Sequence, residues 1–248
     1  MLKNHEKLSF AYGDEVIEFE VIAKLSAHHK ISIKVTPDCK VQVATPLEIE
    51  RTQLIAAVKK RSRWIYQQLQ VFQKQNEFIV PRQYVSGESH YYLGKQYQLK
   101  VIESTDQPQG VKLLRGKLQV ALKQKNTHKV QDLLNAWYRV RAKEVFSNRI
   151  EVVLSQALWV TEMPKLKLLN MKTQWGNCSP SGNLTLNPYL VKAPTRCIDY
   201  VILHELCHLV EHNHSKQFYE LMSQTMPDWE GRKIHLDEMA AKIFSGAI

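Results

Sequence analysis

Between Glu15 and Leu25 apolar and polar residues alternate, with Ile17, Phe19 and Val21 on one side and Val16, Glu18 and Glu20 on the other. That period of two predicts a half-buried strand. Lys30–Val35 and Lys40–Ala44 alternate likewise, and Thr36-Pro37-Asp38-Cys39 predicts a turn between them, with Cys39 at a position that favours positive φ. After Thr45-Pro46 the period changes. Leu54, Ile55, Val58, Trp64, Ile65, Leu69 and Phe72 recur at helical spacing with Lys and Arg opposite, predicting one long helix over about 48–76. Strands return over 84–122, punctuated at Ser86-Gly87, Gly94-Lys95, Pro108–Gly110 and Arg115-Gly116. A second long helix is predicted over 127–158, with Val130, Leu133, Leu134, Trp137, Val140 and Val145 on its apolar side and Pro164 as its stop. Lys165–Met171 and Asn183–Asn187 read as two strands joined by a loop over 175–182. A helix then opens at Pro194-Thr195, with Thr195 as N-cap, and runs to about Glu211. Further helices start at Ser215 and after Pro227. No internal repeat or long linker stands out. The fold class is α+β, with a β-rich N-terminal portion over 1–125 and a second portion over 126–248.

The 248 residues are 44% apolar and 23% charged, a globular composition sized for one large or two small domains. No apolar run approaches the roughly 18–20 residues of a membrane span. Met1–Lys7 leads into no apolar stretch that would make a secretory signal, so a cytoplasmic location is expected. Cys39, Cys178, Cys197 and Cys207 form no C-x-x-C pair and are expected as free thiols. The net charge is +10. Residues 1–125 hold 20 Lys+Arg against 12 Asp+Glu, and residues 126–248 hold 14 against 12. A basic surface attracts nucleic acid, nucleotides or anionic lipid, and it also simply solvates a chain.

The chemistry concentrates in His204-Glu205-Leu206-Cys207-His208, an H-E-x-x-H motif. Two histidines at i and i+4 share one helix face and converge on one metal ion, while the glutamate beside them reaches the metal-bound water as general base. With 10 His and 17 Glu in the chain, about 0.03 accidental matches are expected. Ile198, Val201, Ile202, Leu203, Leu206, Leu209 and Val210 bury the helix on nearly all sides. Burying two histidines and a carboxylate there is costly without partners.

An open zinc site needs a third protein ligand. His212 continues the i, i+4, i+8 series, but eight residues span about 12 Å of helix axis. Zinc–nitrogen bonds of about 2.1 Å cannot close over that distance. The third ligand must come from chain that has turned back. Asn213 can adopt the left-handed conformation that ends a helix, and His214 follows it, so His204, His208 and His214 are the expected zinc ligands. The H-x3-H-x5-H spacing equals that of the metzincins, but Glu211 stands where their turn needs Gly, and that clan is not assigned.

Several stretches together resemble the YgjP-like metallopeptidases, relatives of the WLM and SprT-type minimal zincins. Met171-Lys172-Thr173-Gln174-Trp175-Gly176-Asn177-Cys178-Ser179 is similar to that family's M-K-x-R-W-G-S-C-S, with Gln174 and Asn177 departing from it. Gly182–Asn187, Ile198–Leu209 and the Asn213-His214-Ser215-x-x-Phe218 that supplies the third ligand also match, as do Trp137-Tyr138-Arg139, Ser86-Gly87-Glu88 and Leu93-Gly94-Lys95. Near the N-terminus this chain has Lys24, His28, His29 and Lys30 where the family often carries arginines.

The resemblance implies a zincin-like metallopeptidase unit built on an H-E-x-x-H helix, with zinc as cofactor and Glu205 as general base. In zincins the strand before the active-site helix lines the cleft, so Asn183 to Asn187 is expected either to pair with an extended substrate or to be an ordinary sheet strand. Trp175 is expected as a wall of that cleft or as core, and Tyr219 as a residue steadying an oxyanion. Cys178 and Cys207 read as packing residues. The substrate is a peptide or a nucleotide, since some members of the family look like UTP pyrophosphatases. A third alternative is a DNA-associated SprT-like protease, but neither a C-terminal zinc ribbon nor aromatic–basic interleaving supports a nucleic-acid partner. Nothing in the sequence sets the oligomeric state or points to a membrane partner.

Overall fold

The computed structural model describes residues 2–24, 31–36, 38–46, 48–76, 82–171 and 174–244. His28, His29 and Lys30 near the N-terminus, and Lys172 and Thr173 of the Met171–Ser179 stretch, lie outside the described residues. The chain divides into two compact units, 1–79 and 80–248. This differs from the 125/126 boundary expected from sequence. The difference arises because the strands of 89–122 bury Leu99, Leu118, Val120 and Leu122 in the same cluster as the helix that follows them.

In the first unit, β1 (Lys7–Tyr12), β2 (Glu15–Ala23), β3 (Ser32–Val35) and β4 (Val41–Thr45) form one sheet in the order β1-β2-β4-β3. The alternation is realised directly: Ile17, Phe19 and Val21 are buried while Val16 and Glu18 face solvent. Cys39 has φ +59°, as its turn position requires. The predicted single helix over 48–76 is two, α1 (Arg51–Lys59) and α2 (Ser62–Asn76). At Lys60-Arg61 the ladder tightens, with the Arg61 N–H donating to the Val58 carbonyl. Leu54 and Val58 before the break and Ile65 after it are all fully buried, whereas Trp64 is 43% exposed.

In the second unit, β5 (Ser89–Tyr92), β6 (Lys95–Glu103), β7 (Gly110–Leu114) and β8 (Lys117–Leu122) form a sheet in the order β5-β6-β8-β7. This repeats the first sheet strand for strand, an internal repeat not anticipated from the sequence. The register repeats too. Tyr12 faces Glu15 as Tyr92 faces Lys95, Glu20 faces Gln42 as Lys100 faces Gln119, and Lys34 faces Gln42 as Lys112 faces Gln119. The clearest sequence trace is Lys40-Val41-Gln42-Val43-Ala44 against Lys117-Leu118-Gln119-Val120-Ala121.

The long helix is α3 (Thr127–Leu154), capped by the Asn126 side chain and ending ten residues before Pro164. Its buried stripe is Val130, Leu134, Tyr138, Ala142, Phe146 and Ile150, a strict i+4 row; the expected core residue Val140 is 57% exposed. A second, three-stranded sheet has the order β10-β11-β9, from β9 (Leu166–Leu168), β10 (Gly176–Cys178) and β11 (Leu184–Leu186). A short 3-10 helix, Pro188–Lys192, leads into α4 (Thr195–Cys207), α5 (Lys216–Thr225) and α6 (Trp229–Phe244). No described helix is long and apolar enough to cross a membrane.

Helix α4 is held on several sides. Thr195 is its first helical residue and Pro194 stands at the N-cap, so Thr195 does not cap it. The β5–β6 turn grips the approach: Leu93 and Gly94 donate N–H bonds to the carbonyls of Val191 and Lys192. A Cβ on Gly94 would come within 2.7 Å of Pro194, so this turn requires glycine for close approach as well as for its φ of +78°. The Arg149 guanidinium on α3 binds Asp199 bidentately at 2.7 and 2.8 Å, and Trp159 Nε1 donates to the Leu206 carbonyl.

Candidate metal centre

Helix α4 ends at Cys207, four residues before the expected Glu211. His208 is its C-cap with φ −67° and ψ −11°, close enough to helical geometry to keep its ring on the face of His204. The His204 and His208 ring centroids are 5.1 Å apart. The chain then reverses through successive turns, with Leu209, Val210 and Glu211 N–H groups bonded to Leu206 and Cys207 carbonyls. Asn213 is not in the left-handed region; the Ser215 N–H instead donates to the Asn213 carbonyl across a tight turn. Ser215 accepts the Phe218 N–H and caps α5. His214, on the residue before that cap, is thereby brought back over α4.

The result is a cluster in which one ring nitrogen each of His204, His208 and His214 lies within 4.8 Å of the others. The Nε2 atoms of His204 and His214 are 3.0 Å apart. The Glu211 carbonyl sits 3.0 Å from His208 Nδ1, and a carbonyl only accepts, so Nδ1 carries the proton and Nε2 keeps its lone pair. His212 turns its Nδ1 to the His208 carbonyl and is outside the cluster, though it borders the same cleft. Burial, reinforced by the neighbouring imidazoles, pulls His204 down to about 3, so it is a neutral donor across the physiological range. Three ligand nitrogens on a tetrahedral zinc with bonds of about 2.1 Å stand about 3.4 Å apart. The cluster, with one nitrogen from each of three histidines within 4.8 Å of the others, fits that donor set.

Phe218 underlies the triad. Its fully buried ring stands 5.0, 4.8 and 4.8 Å from the rings of His204, His208 and His214. Tyr200, one turn before His204 on α4, packs edge-on against it at 5.8 Å. Sequence reasoning assigned neither residue a role. Tyr200 had a signal, the i−4 position on the ligand face; Phe218 had its place in the Asn213-His214-Ser215-x-x-Phe218 stretch, at N3 of the helix that Ser215 caps.

Glu205 is buried, at 8% exposure, in the wall of a cleft of about 490 Å³ that all three histidines line. Burial raises its carboxyl to about 7, against the opposing hydrogen bond from the Cys178 backbone N–H. Trp175, Gly176, Asn177 and Cys178 line the same cleft. Burial and the nearby Glu205 raise the Cys178 thiol to about 11, the behaviour of an unreactive cysteine.

The other expected substrate residues lie elsewhere. Asn183 and Asn187 are absent from the cleft lining. Asn183 is bonded within its own loop to Ser179 and Ser181. Asn187 is buried, donating to the Met171 and Gln174 carbonyls and capping the 3-10 helix. Their strand, β11, lies between β10 and β9, so both its edges are used. The free edge beside the cleft belongs to β10, in the segment expected to be loop. Tyr219 is outside the cleft lining and stacks on His214 and Trp229.

No curated protein matches the chain. The crystal structure of the metallopeptidase zymogen of Pyrococcus abyssi abylysin is 22% identical over 39% of this chain and 93% of its own, with a TM-score of 0.35. That of the metallopeptidase zymogen of Methanocaldococcus jannaschii jannalysin is 24% identical over 42% and 97%, with a TM-score of 0.32. The family model described as YgjP-like, metallopeptidase domain matches residues 29–239, a span that contains the histidine cluster, the cleft strand and the four-stranded sheet of the second unit, and that begins after β2 of the first. The chain belongs to the YgjP-like metallopeptidase domain family.

Proposed function

We propose that the chain is a zinc metallopeptidase in which His204, His208 and His214 hold the metal in a zincin-like unit and Glu205 is the general base. The observation that carries this reading is the convergence of three imidazole donors with one buried carboxylate in a single open cleft. Zinc, when bound, supplies Lewis acidity, polarising the scissile carbonyl and drawing the pKa of water towards neutrality. The histidines contribute the ring nitrogens that would hold it, with His208 Nδ1 turned to the Glu211 carbonyl so that its Nε2 is the donor. Glu205 accepts a proton at its carboxylate and returns it to the leaving amine, and burial sets its affinity for that proton near neutral pH. The outer edge of β10, apart from the Cys178 N–H that bonds Glu205, offers backbone groups to an extended peptide, and Trp175 walls the space alongside. Asn183 and Asn187 act behind this strand, ordering the loops that carry it.

The composition of the cleft favours a peptide over a nucleoside triphosphate. Its described lining holds neither Lys nor Arg, and it includes the Glu205 carboxylate, so phosphates would meet no cationic side chain of the Lys or Arg kind there. The test is a screen of zinc-loaded protein against unfolded protein and a panel of nucleoside triphosphates, with Glu205→Gln as control. Peptide cleavage is expected to fall about 10²–10⁴-fold in the variant, with zinc content unchanged. Triphosphate hydrolysis without peptide cleavage would replace the peptide reading, and zinc loss in Glu205→Gln would remove the general-base role.

A further inference from the structure

The Trp-Gly-x-Cys-Ser stretch contains a glycine whose usual explanation is missing. Gly176 is not in the left-handed region, unlike Gly13, Gly87, Gly94, Gly116 and Gly182. It sits inside a strand, where glycine packs poorly and costs conformational entropy, and where its presence marks a close approach by another group. That group is identifiable. A Cβ built on Gly176 would lie 2.9 Å from Cγ and 3.1 Å from Oε1 of Glu205, with Leu186 Cδ2 at 3.0 Å closing the way out. The other described glycines with ordinary φ, Gly110 and Gly231, have nothing within 4 Å of such an atom.

We propose that Gly176 is a positioning residue for Glu205: its missing side chain lets the β10 backbone lie flat against the carboxylate and hold it in one rotamer. Two residues on, the Cys178 N–H donates to the same carboxylate. Pairing of Gly176 with Leu186 and of Cys178 with Leu184 fixes both contacts to the sheet. The strand thus acts as a template, with glycine supplying the fit at one point and a backbone N–H the bond at the next. Any side chain at 176 must push Glu205 out of this seat or push the edge strand off β11. This role rests on Glu205 being the base, but the seat itself is a property of the metal-free chain.

The test is a double-mutant cycle of Gly176→Ala with Glu205→Ala, read in two ways. The first is the melting temperature of the metal-free full-length protein. Gly176→Ala is expected to lower it, and to lower it less than half as much in the Glu205→Ala background, where Cγ and Oε1 are gone. Equal drops in both backgrounds would overturn the proposal. If Gly176→Ala alone does not fold, recovery of a folded protein in the double variant is the same coupling, and failure of both overturns it. The second readout is kinetic. A misplacement of about 1 Å costs about 10²-fold, so kcat of zinc-loaded Gly176→Ala is expected to drop by that order with KM within about two-fold and zinc content intact. Unchanged kcat, or loss of zinc, would overturn the positioning role. If wild-type protein cleaves no peptide, the reading of the reaction fails while the melting cycle still decides the seat.

Discussion

Lys192 is buried among the apolar residues of the core, with its ammonium 4.9 and 4.5 Å from the rings of Tyr138 and Tyr189 and a long bond to the Ile243 carbonyl. Burial, with the nearby Arg82 charge, lowers it to about 7. A depressed lysine contributes stability that is complete above its unfolded value of about 10.5 and is lost as pH falls towards 7. Lys192→Met is therefore expected to gain on wild type as pH drops from 10 to 7. At about 1.4 kcal/mol per unit of displacement the gain reaches several kcal/mol, read from paired denaturation curves; parallel curves would count against it. The metal residues give a second prediction at this scale. His204→Ala, His208→Ala and His214→Ala should each lose zinc and the rise in melting temperature that zinc confers on wild type, whereas His212→Ala should keep both, by calorimetry and thermal melts. The choice of His214 over His212 was legible because helix rise and zinc bond length are fixed quantities. Phe218, Tyr200 and Gly176 were not, because their significance lies in what they touch across the fold.

At the scale of elements, periodicity located the helices and strands but not their ends or their weakest members. The two amphipathic runs were read correctly as helical, yet the first is broken at Lys60-Arg61 and the second buries an i+4 row that leaves Val140 outside. A period averaged over several turns tolerates both errors. β10 escaped detection because Gly-Asn-Cys has no strand pattern of its own and exists through its pairing with β11. The short helix α5 shows how one cap reaches the site. Ser215 accepts the Phe218 N–H at 3.2 Å, which fixes at once the residue after His214 and the ring beneath all three imidazoles. Ser215→Ala should cost about 1 kcal/mol of stability and weaken zinc binding measurably, and Ser215→Asp should restore both. A loss of stability without loss of zinc affinity would show that the cap and the ligand are independent.

At the scale of the molecule, the two units carry the same four-stranded sheet but different cores and different charge. Leu8, Phe10, Ile17, Phe19, Leu54 and Ile65 belong to one buried cluster, and the cluster of the second unit shares no residue with it. Residues 1–79 hold 12 Lys+Arg against 9 Asp+Glu, and residues 80–248 hold 22 against 15. The boundary at 79/80 reverses the impression of a basic portion remote from the metal, because the unit that contains the histidine cluster carries +7 of the +10. A unit with its own core is expected to fold alone. A fragment of residues 80–248 should therefore unfold in one cooperative transition and bind zinc within about three-fold of the full chain, a difference under about 1 kcal/mol. Comparing the two for KM on one peptide then isolates what the first unit adds. Equal KM values would assign it no part in holding substrate. A KM that rises only in the fragment, and more at low salt than at high, would assign its charges to substrate capture. A fragment that stays unfolded with zinc present would mean that the first unit completes the fold of the second.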